Sequence, residues 1–272
     1  MSSAPRTDAE WASYISQLKE RIPGRSLSQP MIPLQIPPMI DHTLLNTQAD
    51  LEVPADSARV DKLCDEAKEY GFATVCVRRE HVSRAVANLQ QTPNTGVSCV
   101  VGFPEGTYDT NDKVREALEA VAKGATDLDM VINWPLLKNG AYAQVYEDIM
   151  AVRRAAPAPT KLKAIVEAAQ LDRDQLIAAT IVCCTAGVDF VKTCTGYAGS
   201  ASVDHVTTMR LVAELGLNNC QIKASGGIRT AGDCLRMMKA GAKRIGTTSG
   251  IAIMKEIDEG ELLEQGAGHA VT

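Results

Sequence analysis

Residues 161–193 read KLKAIVEAAQLDRDQLIAATIVCCTAGVDFVKT. Two short apolar runs with alternating side chains, 161–167 and 188–193, flank a stretch at 172–186 in which apolar residues recur at helical spacing. Gly187 follows the helical stretch, where a glycine often ends a helix, and it directly precedes the second run. The pattern predicts a strand, a helix and a second strand, which is the unit of a parallel sheet.

The same alternation continues in both directions along the chain. Six further strands are predicted, at 40–43, 72–77, 97–102, 127–133, 219–224 and 243–247. Further helical patterns lie at 54–69, 79–90, 110–123, 137–155, 202–215, 230–240 and 249–264. Eight such units in 272 residues predict one α/β domain, closed as a (β/α)8 TIM barrel, with a doubly wound open sheet as the alternative.

The first 38 residues do not follow this repeat. Trp11, Ile15 and Leu18 recur at helical spacing, and five prolines between residues 23 and 38 prevent that helix from continuing. We therefore expect an N-terminal helical extension with a proline-rich linker at 1–38, the barrel at 39–265 and a flexible tail at 266–272.

Composition argues against several classes of protein. Charged residues make up 22% of the chain and no apolar run is long enough for a membrane span, so we expect no membrane contact. A formal net charge of −5 offers no basic surface for nucleic acid. Most of the eight cysteines fall in apolar runs rather than at disulfide or CxxC spacing, which predicts thiols in a reducing, cytoplasmic compartment. The four histidines are scattered, so no metal site is expected.

Strand alternation directs charged side chains toward the barrel axis. In each of the four strands from 127–133 onward, one parity is apolar and suits helix packing, which leaves the other parity for the interior. The charged residues of that inward parity are Asp127, Asp129, Lys161, Lys163, Glu167, Lys192 and Lys223. Buried charge must be paired or used, so two interpretations stay open: a structural ion-pair network, or an active site at the carboxyl ends of the strands.

Lys192 and Lys223 occupy neighbouring strands of this set. Adjacent strands lie about 4.8 Å apart, so the two ammonium groups could approach within several ångströms. A neighbouring cation disfavours the protonated form of a lysine and leaves a free amine that attacks a carbonyl. We therefore expect Lys192 to be the nucleophile of Schiff-base chemistry, with Lys223 beside it and Asp129 as counter-charge and proton relay.

Two glycine-rich turns open helices after the seventh and eighth predicted strands. They read SGGIRT at 225–230 and GTTSG at 246–250. Barrels often hold phosphate at these two loops, on backbone N–H groups and the positive end of a helix. Thr195 and Gly196, just after Lys192, could close a third side. Either turn alone could serve only loop geometry, whereas the set predicts a phosphate-binding end.

Several motifs, in order along the chain, resemble the deoxyribose-phosphate aldolase family. They read IDHTL at 40–44, VGFPEG at 101–106, DLDMVIN at 127–133, VKTCTG at 191–196, KASGGIRT at 223–230 and RIGT at 244–247. The resemblance covers about residues 40–253. It implies a class I aldolase, free of metal and cofactor, that interconverts 2-deoxy-D-ribose 5-phosphate with D-glyceraldehyde 3-phosphate and acetaldehyde. It also implies a homodimer.

The resemblance assigns roles residue by residue. Lys192 matches the Schiff-base lysine, Lys223 the lysine that perturbs it, and Asp129 the acidic member of the proton relay. Positions that line or support the pocket are matched by Asp41, Thr43, Cys76 and Lys163. Phosphate-binding positions are matched by Gly196, Gly226, Gly227, Gly246, Thr248 and Ser249.

Two departures from the family pattern bear on phosphate binding and proton transfer. Tyr197 stands where some members carry a phosphate-contacting lysine. No tyrosine follows Tyr197, whereas some members end in a mobile tyrosine that enters the active site. We therefore expect phosphate to be held mainly by backbone amides and hydroxyls, and protons to move through water and Asp129.

Three alternatives share parts of this pattern. Another class I aldolase acting on a phosphorylated sugar would use the same lysines. A sugar-phosphate isomerase would share the phosphate loops but needs an acid/base pair without an imine lysine. A non-catalytic, sugar-phosphate-binding barrel would keep the fold alone, since fold does not establish activity.

Overall fold

The computed structural model describes residues 4–22, 36–45 and 53–260. Eight parallel strands pair in chain order, and the first pairs with the last, so the sheet is a closed barrel. The strands are β1 (Ile40–Thr43), β2 (Thr74–Val77), β3 (Gly96–Val101), β4 (Asp127–Val131), β5 (Lys161–Ile165), β6 (Phe190–Lys192), β7 (Gln221–Ser225) and β8 (Arg244–Thr247). The (β/α)8 barrel is confirmed and the open sheet is excluded.

Ten α-helices lie within the described ranges. They are α1 (Asp8–Lys19), α2 (Val53–Tyr70), α3 (Val82–Leu89), α4 (Thr110–Ala122), α5 (Trp134–Lys138), α6 (Tyr142–Ala155), α7 (Arg173–Thr185), α8 (Val203–Ala213), α9 (Ala231–Ala240) and α10 (Gly250–Asp258). The single helix predicted at 137–155 is wrong. Two helices cover it, because Gly140 adopts a left-handed φ of 76° that ends α5 before α6 begins.

The main hydrophobic core lies between the strands and the surrounding helices, as alternation predicts. Leu128, Met130 and Leu162 are fully buried within it. The opposite parity faces the barrel axis, and the register brings its members side by side. Lys192 is the Cα partner of Lys223, so the two lysines occupy adjacent positions on neighbouring strands.

The N-terminal helix α1 packs against α6 and α7 on the outside of the barrel. Trp11 is fully buried there, with its ring 5.1 Å from that of Tyr146. Asp8 accepts a hydrogen bond of 2.8 Å from the backbone N–H of Ala143, at the start of α6. Because α6 has no side-chain cap of its own at its N-cap residue Ala141, α1 supplies one.

Some predictions fall beyond the described residues. The tail at 266–272, the last residues of the helix predicted at 249–264 and most of the proline-rich linker lie outside them. No helix in the part of the chain that is described has the length and apolar character needed to cross a bilayer. All eight cysteines are buried and unbridged.

Candidate active site

Asp129 lies between the two lysines at the carboxyl end of the barrel. The Nζ of Lys192 donates to Asp129 Oδ2 at 2.7 Å, and the Nζ of Lys223 donates to the same oxygen at 2.6 Å. The sequence predicts two neighbouring ammonium groups with Asp129 as their counter-charge. The structure places the Asp129 carboxylate in contact with both, so the three groups act as one electrostatic unit.

This unit is part of a larger buried set of charges, here called the charge network. Lys163 contacts Asp127 at 2.8 Å and Asp129 at 2.9 Å. Asp41 binds Lys223 closely and accepts from Arg244 at 2.7 Å. The members of the network are Asp41, Asp127, Asp129, Lys163, Lys192, Lys223 and Arg244. Four cations face three carboxylates, so the fully ionised network carries one excess positive charge.

The network fixes the ionisation of most of its members. Burial alone would raise the pKa of Asp129, but Lys163, Lys192 and Lys223 outweigh it and hold that pKa well below its ordinary value. Burial would lower the pKa of Lys223, yet the Asp129 and Asp41 carboxylates raise it. The same balance keeps the pKa of Asp41 low and that of Lys163 high. Asp129 is therefore held as a carboxylate and Lys223 as a cation.

A cavity of about 240 Å³ opens above the network at the C-terminal end of the strands. Its charged lining residues are Lys192 and Arg229. The other lining residues are Thr43, Leu45, Thr195, Gly196, Tyr197, Ser225, Gly226, Gly227, Ile228, Gly246, Thr247 and Thr248. Lys192 is thus the network lysine that also reaches the cavity.

Six of the sequence-predicted site residues are not part of this lining, among them Asp129 and Lys223 in the charge network below it. Asp41, Cys76 and Lys163 are fully buried on the barrel strands, where they support the site from below. Ser249 follows β8, and its N–H donates to Thr247 Oγ1 at 2.9 Å.

The upper edge of the cavity, here called the rim, is formed by Thr195, Gly196, Gly226, Gly227 and Thr248. Gly226 and Gly227 have φ values of 93° and 77°, which favour glycine. Within the described ranges, neither of their N–H groups meets an acceptor. A β-carbon on Gly246 would lie 3.1 Å from Lys223 Cε, so this glycine makes room for the lysine.

Comparison with known proteins identifies the family. The pattern of the DeoC/LacD family aldolases matches residues 37–257. The chain is 46% identical to the deoxyribose-phosphate aldolase of Coccidioides immitis (strain RS) over 252 residues, 91% of each chain. It is 42% identical to that of Thermoanaerobacter sp. (strain X514), covering 82% of this chain and 97% of the relative.

The chain belongs to the DeoC/LacD family of aldolases. A solved structure from Coccidioides immitis superimposes on this aldolase with a TM-score of 0.85 at 45% identity, covering 95% of this chain and 100% of that one. The tetrameric deoxyribose phosphate aldolase of Aeropyrum pernix superimposes with a TM-score of 0.72 at 29% identity, covering 82% and 90%.

One side of the aldolase site is apolar. A small cluster inside the barrel mouth is formed by Leu45, Cys76, Val100, Phe103, Val131 and Ile165. Ile165 is the register partner of Lys192, so this apolar wall stands beside that lysine. Burial raises the pKa of the Cys76 thiol. The thiol therefore stays protonated, which makes it a packing group rather than a nucleophile.

Tyr197 closes another side of the site. Its hydroxyl donates to the backbone carbonyl of Leu45, and its ring meets Phe103 edge-on at 5.4 Å. It also lines a neighbouring cavity of about 460 Å³. The aromatic side chain therefore separates two cavities, which is a different role from that of an anion-binding lysine.

Several members of the site were not assigned from the sequence. Arg244 and Thr74 both donate to Asp41 Oδ1 at 2.7 Å, and Ser98 donates to Asp129 Oδ1 at 2.9 Å. All three lie on barrel strands, where the parity argument applied to Asp129 could also have found them. In the residues described here, no group of three or more His, Cys, Asp or Glu side chains has a geometry suited to a metal ion.

Proposed function

We propose that this chain is a class I deoxyribose-phosphate aldolase. It reversibly cleaves 2-deoxy-D-ribose 5-phosphate to D-glyceraldehyde 3-phosphate and acetaldehyde through an imine on Lys192. The observation that carries the proposal is the position of Lys192. Its Nζ contacts the buried carboxylate of Asp129, and the residue also lines the cavity. The names of relatives at 46% and 42% identity support the choice of substrate.

The charge balance of the network suits imine chemistry. When Lys192 is a neutral amine, the three remaining cations match the three carboxylates. Its attack on C1 of the substrate, followed by uptake of one proton from solvent and loss of water, forms an iminium that restores one positive charge next to Asp129. That iminium accepts the electron pair released when the C2–C3 bond breaks and the C3 hydroxyl loses its proton.

Asp129 and Lys223 have supporting roles in this scheme. Asp129 is an ionised carboxylate 2.7 Å from the Lys192 nitrogen, so it can stabilise the iminium and exchange protons through a water molecule. Lys223 is a cation on the same oxygen, which keeps that carboxylate from binding a proton permanently. The resulting enamine is protonated at C2, and hydrolysis releases acetaldehyde and regenerates the amine.

The 5-phosphate is assigned to the rim. Gly226, Gly227 and Thr248 of the rim line the same cavity as Arg229, and these residues carry backbone N–H groups, a hydroxyl and a cationic side chain. Such groups suit an anion. The apolar wall beside Lys192 suits the two-carbon end of the sugar, which carries no hydroxyl at C2.

Borohydride trapping tests the imine. Incubation with acetaldehyde and sodium borohydride should leave a stable adduct on Lys192, located by peptide mass spectrometry, and Lys192→Ala should abolish it. Lys161→Ala is the matched control. Lys161 is an exposed lysine at the first residue of β5, at the end of the barrel away from the cavity. An adduct that survives Lys192→Ala would refute the mechanism. Phosphosugar binding without any adduct would favour a non-catalytic barrel.

We also propose a homodimer located in the cytoplasm. Eight unbridged, buried thiols suit a reducing compartment. The Aeropyrum pernix relative is a tetramer, so association of family members is precedented. Multi-angle light scattering of the purified full chain distinguishes a dimer from a tetramer or a monomer.

A further inference from the structure

Glu167 is a buried carboxylate that the proposed mechanism does not use. It lies two residues beyond the end of β5, at the barrel mouth, and it is 1% exposed. Its φ of 53° lies in the left-handed region, which is uncommon for a residue with a side chain. Its Oε1 has no hydrogen-bond partner among the described residues.

The other carboxylate oxygen holds part of the rim. Thr195 donates to Glu167 Oε2 twice, from its hydroxyl at 2.6 Å and from its backbone N–H at 3.3 Å. The same hydroxyl oxygen accepts from the backbone N–H of Tyr197 at 3.1 Å. One carboxylate therefore fixes Thr195 directly and Tyr197 indirectly, and Gly196 lies between them.

Hydrogen bonds also join the segment around Glu167 to the loop after β6, which carries Thr195. The N–H of Ala168 donates to the carbonyl of Thr193 at 2.9 Å. The side chain of Gln170 donates to the carbonyl of Ala198 at 2.6 Å. The turn after β5 and the loop after β6 are therefore one connected unit, with Glu167 at its centre.

We infer that Glu167 is a positioning residue for phosphate recognition, because it sets the place of the Thr195–Gly196–Tyr197 wall relative to Lys192. The inference rests on the proposed function, since it concerns the same substrate. The hydrogen bonds of the Glu167 side chain go to Thr195 and to no member of the charge network. Its loss should therefore weaken binding of the phosphorylated sugar and leave imine formation intact.

The test compares two substrates that differ only in the phosphate. For Glu167→Ala, the KM for 2-deoxyribose 5-phosphate should rise roughly tenfold while kcat stays within about twofold. The KM for unphosphorylated 2-deoxyribose and the yield of the acetaldehyde adduct should not change. Thr195→Val, which removes the bonded hydroxyl at nearly constant volume, should show the same pattern.

Matched variants separate position from charge. Glu167→Gln keeps an acceptor for the Thr195 hydroxyl and should lie close to wild type, and Thr195→Ser, which keeps the hydroxyl, should raise the KM less than Thr195→Val does. The double variant Glu167→Ala/Thr195→Val should be no worse than either single change, because both remove one interaction. The thermal unfolding midpoint of each variant identifies any that does not fold, and the Val/Ser pair at Thr195 then carries the test alone.

Two results would overturn the inference. Equal losses on both substrates would mean that Glu167 serves folding only. A lower KM for the phosphorylated sugar in Glu167→Gln would mean that its charge repels phosphate. Failure of the proposed function is a separate result, namely a wild-type chain that forms no acetaldehyde adduct.

Discussion

The charge network and the rim are formed by different parts of the chain and offer different chemical groups. The network consists of strand side chains that are buried and paired by charge. The rim consists of loop residues that are partly exposed and offer mainly backbone N–H groups. Under the proposed function, reactivity depends on which side chains the strands carry, whereas recognition of the phosphate depends on the path of the loop backbone. Substitutions should therefore damage kcat in the network and KM at the rim.

The largest effect is expected for Asp129→Asn. The amide keeps the size of the side chain but removes the charge shared by three lysines, so the proton relay and the stabilisation of the iminium are both lost. We expect kcat for retro-aldol cleavage to fall by about a thousandfold. Coupled detection of D-glyceraldehyde 3-phosphate measures it, and activity within tenfold of wild type would exclude Asp129 from the chemistry.

A smaller effect is expected where network and rim meet. A β-carbon on Gly246 would lie 2.9 Å from Ser225 Cβ and 3.1 Å from Lys223 Cε. Gly246→Ala should therefore displace Lys223 and reduce kcat by roughly ten- to a hundredfold. Gly232→Ala in α9 is the control, since its β-carbon would meet the flexible end of Arg236 at 3.4 Å and Thr230 Oγ1 at an ordinary contact distance of 3.8 Å. Equal activity of the two variants would argue against a contact role for Gly246.

Gly226→Ala probes the rim alone. Its φ of 93° and the 3.0 Å approach of its β-carbon to the Gly199 carbonyl both force the loop to shift. We expect the KM for the phosphorylated sugar to rise by about tenfold with little change in kcat. Gly187→Ala has a similar φ of 73° but open space around it, so it should cost roughly 1 to 2 kcal/mol of stability and leave KM unchanged.

The smallest effect is expected for changes of pH near neutrality, which should hardly alter the free energy of unfolding. The pKa values of Asp41 and Asp129 are lowered from 3.8, so their stabilising contribution is present above that value and is lost as the pH falls through the lowered pKa values. Those of Lys163 and Lys223 are raised from 10.5, so their contribution is present below 10.5 and is lost at higher pH.

The free energy of unfolding, measured by urea titration, should therefore vary little between about pH 5 and 9 and fall on both sides. Asp41→Asn should flatten the acid side of this profile, because one of the buried carboxylates with a lowered pKa is gone. A profile that falls steadily from pH 9 to pH 5 would contradict this account of the network.

Most of the fold can be predicted from the sequence, because the apolar spacing of each strand and helix is a local pattern that recurs along the chain. Each strand predicted from alternation is present, and Gly187 and Gly241 mark helix ends with left-handed φ values. The apolar spacing over 137–155 predicts one continuous helix, because that spacing continues across the break at Gly140. Only the backbone conformation at that glycine separates α5 from α6.

Less of the site than of the fold can be predicted from the sequence. Parity predicts the direction of Asp129 and Lys192 but not the partner that each long side chain finds across the axis. Lys223 reaches Asp41, whose strand lies two places further round the barrel, a contact that exists only because the barrel closes between β8 and β1. The role of Gly246 depends on the 3.1 Å that would separate a β-carbon there from Lys223 Cε, and no sequence pattern contains that distance.

The depth of Lys192 beneath the rim has a consequence for the sequence of events in cleavage. Lys192 is 3% exposed, whereas Thr248 and Arg229 above it are exposed. On β8, the guanidinium of Arg244, another member of the network, lies over the ring of Phe190, 5.5 Å from its centroid. Under the proposed function, the three-carbon phosphate fragment sits between the mouth and the two-carbon fragment bound to Lys192. Product release is therefore ordered: D-glyceraldehyde 3-phosphate departs first and acetaldehyde last.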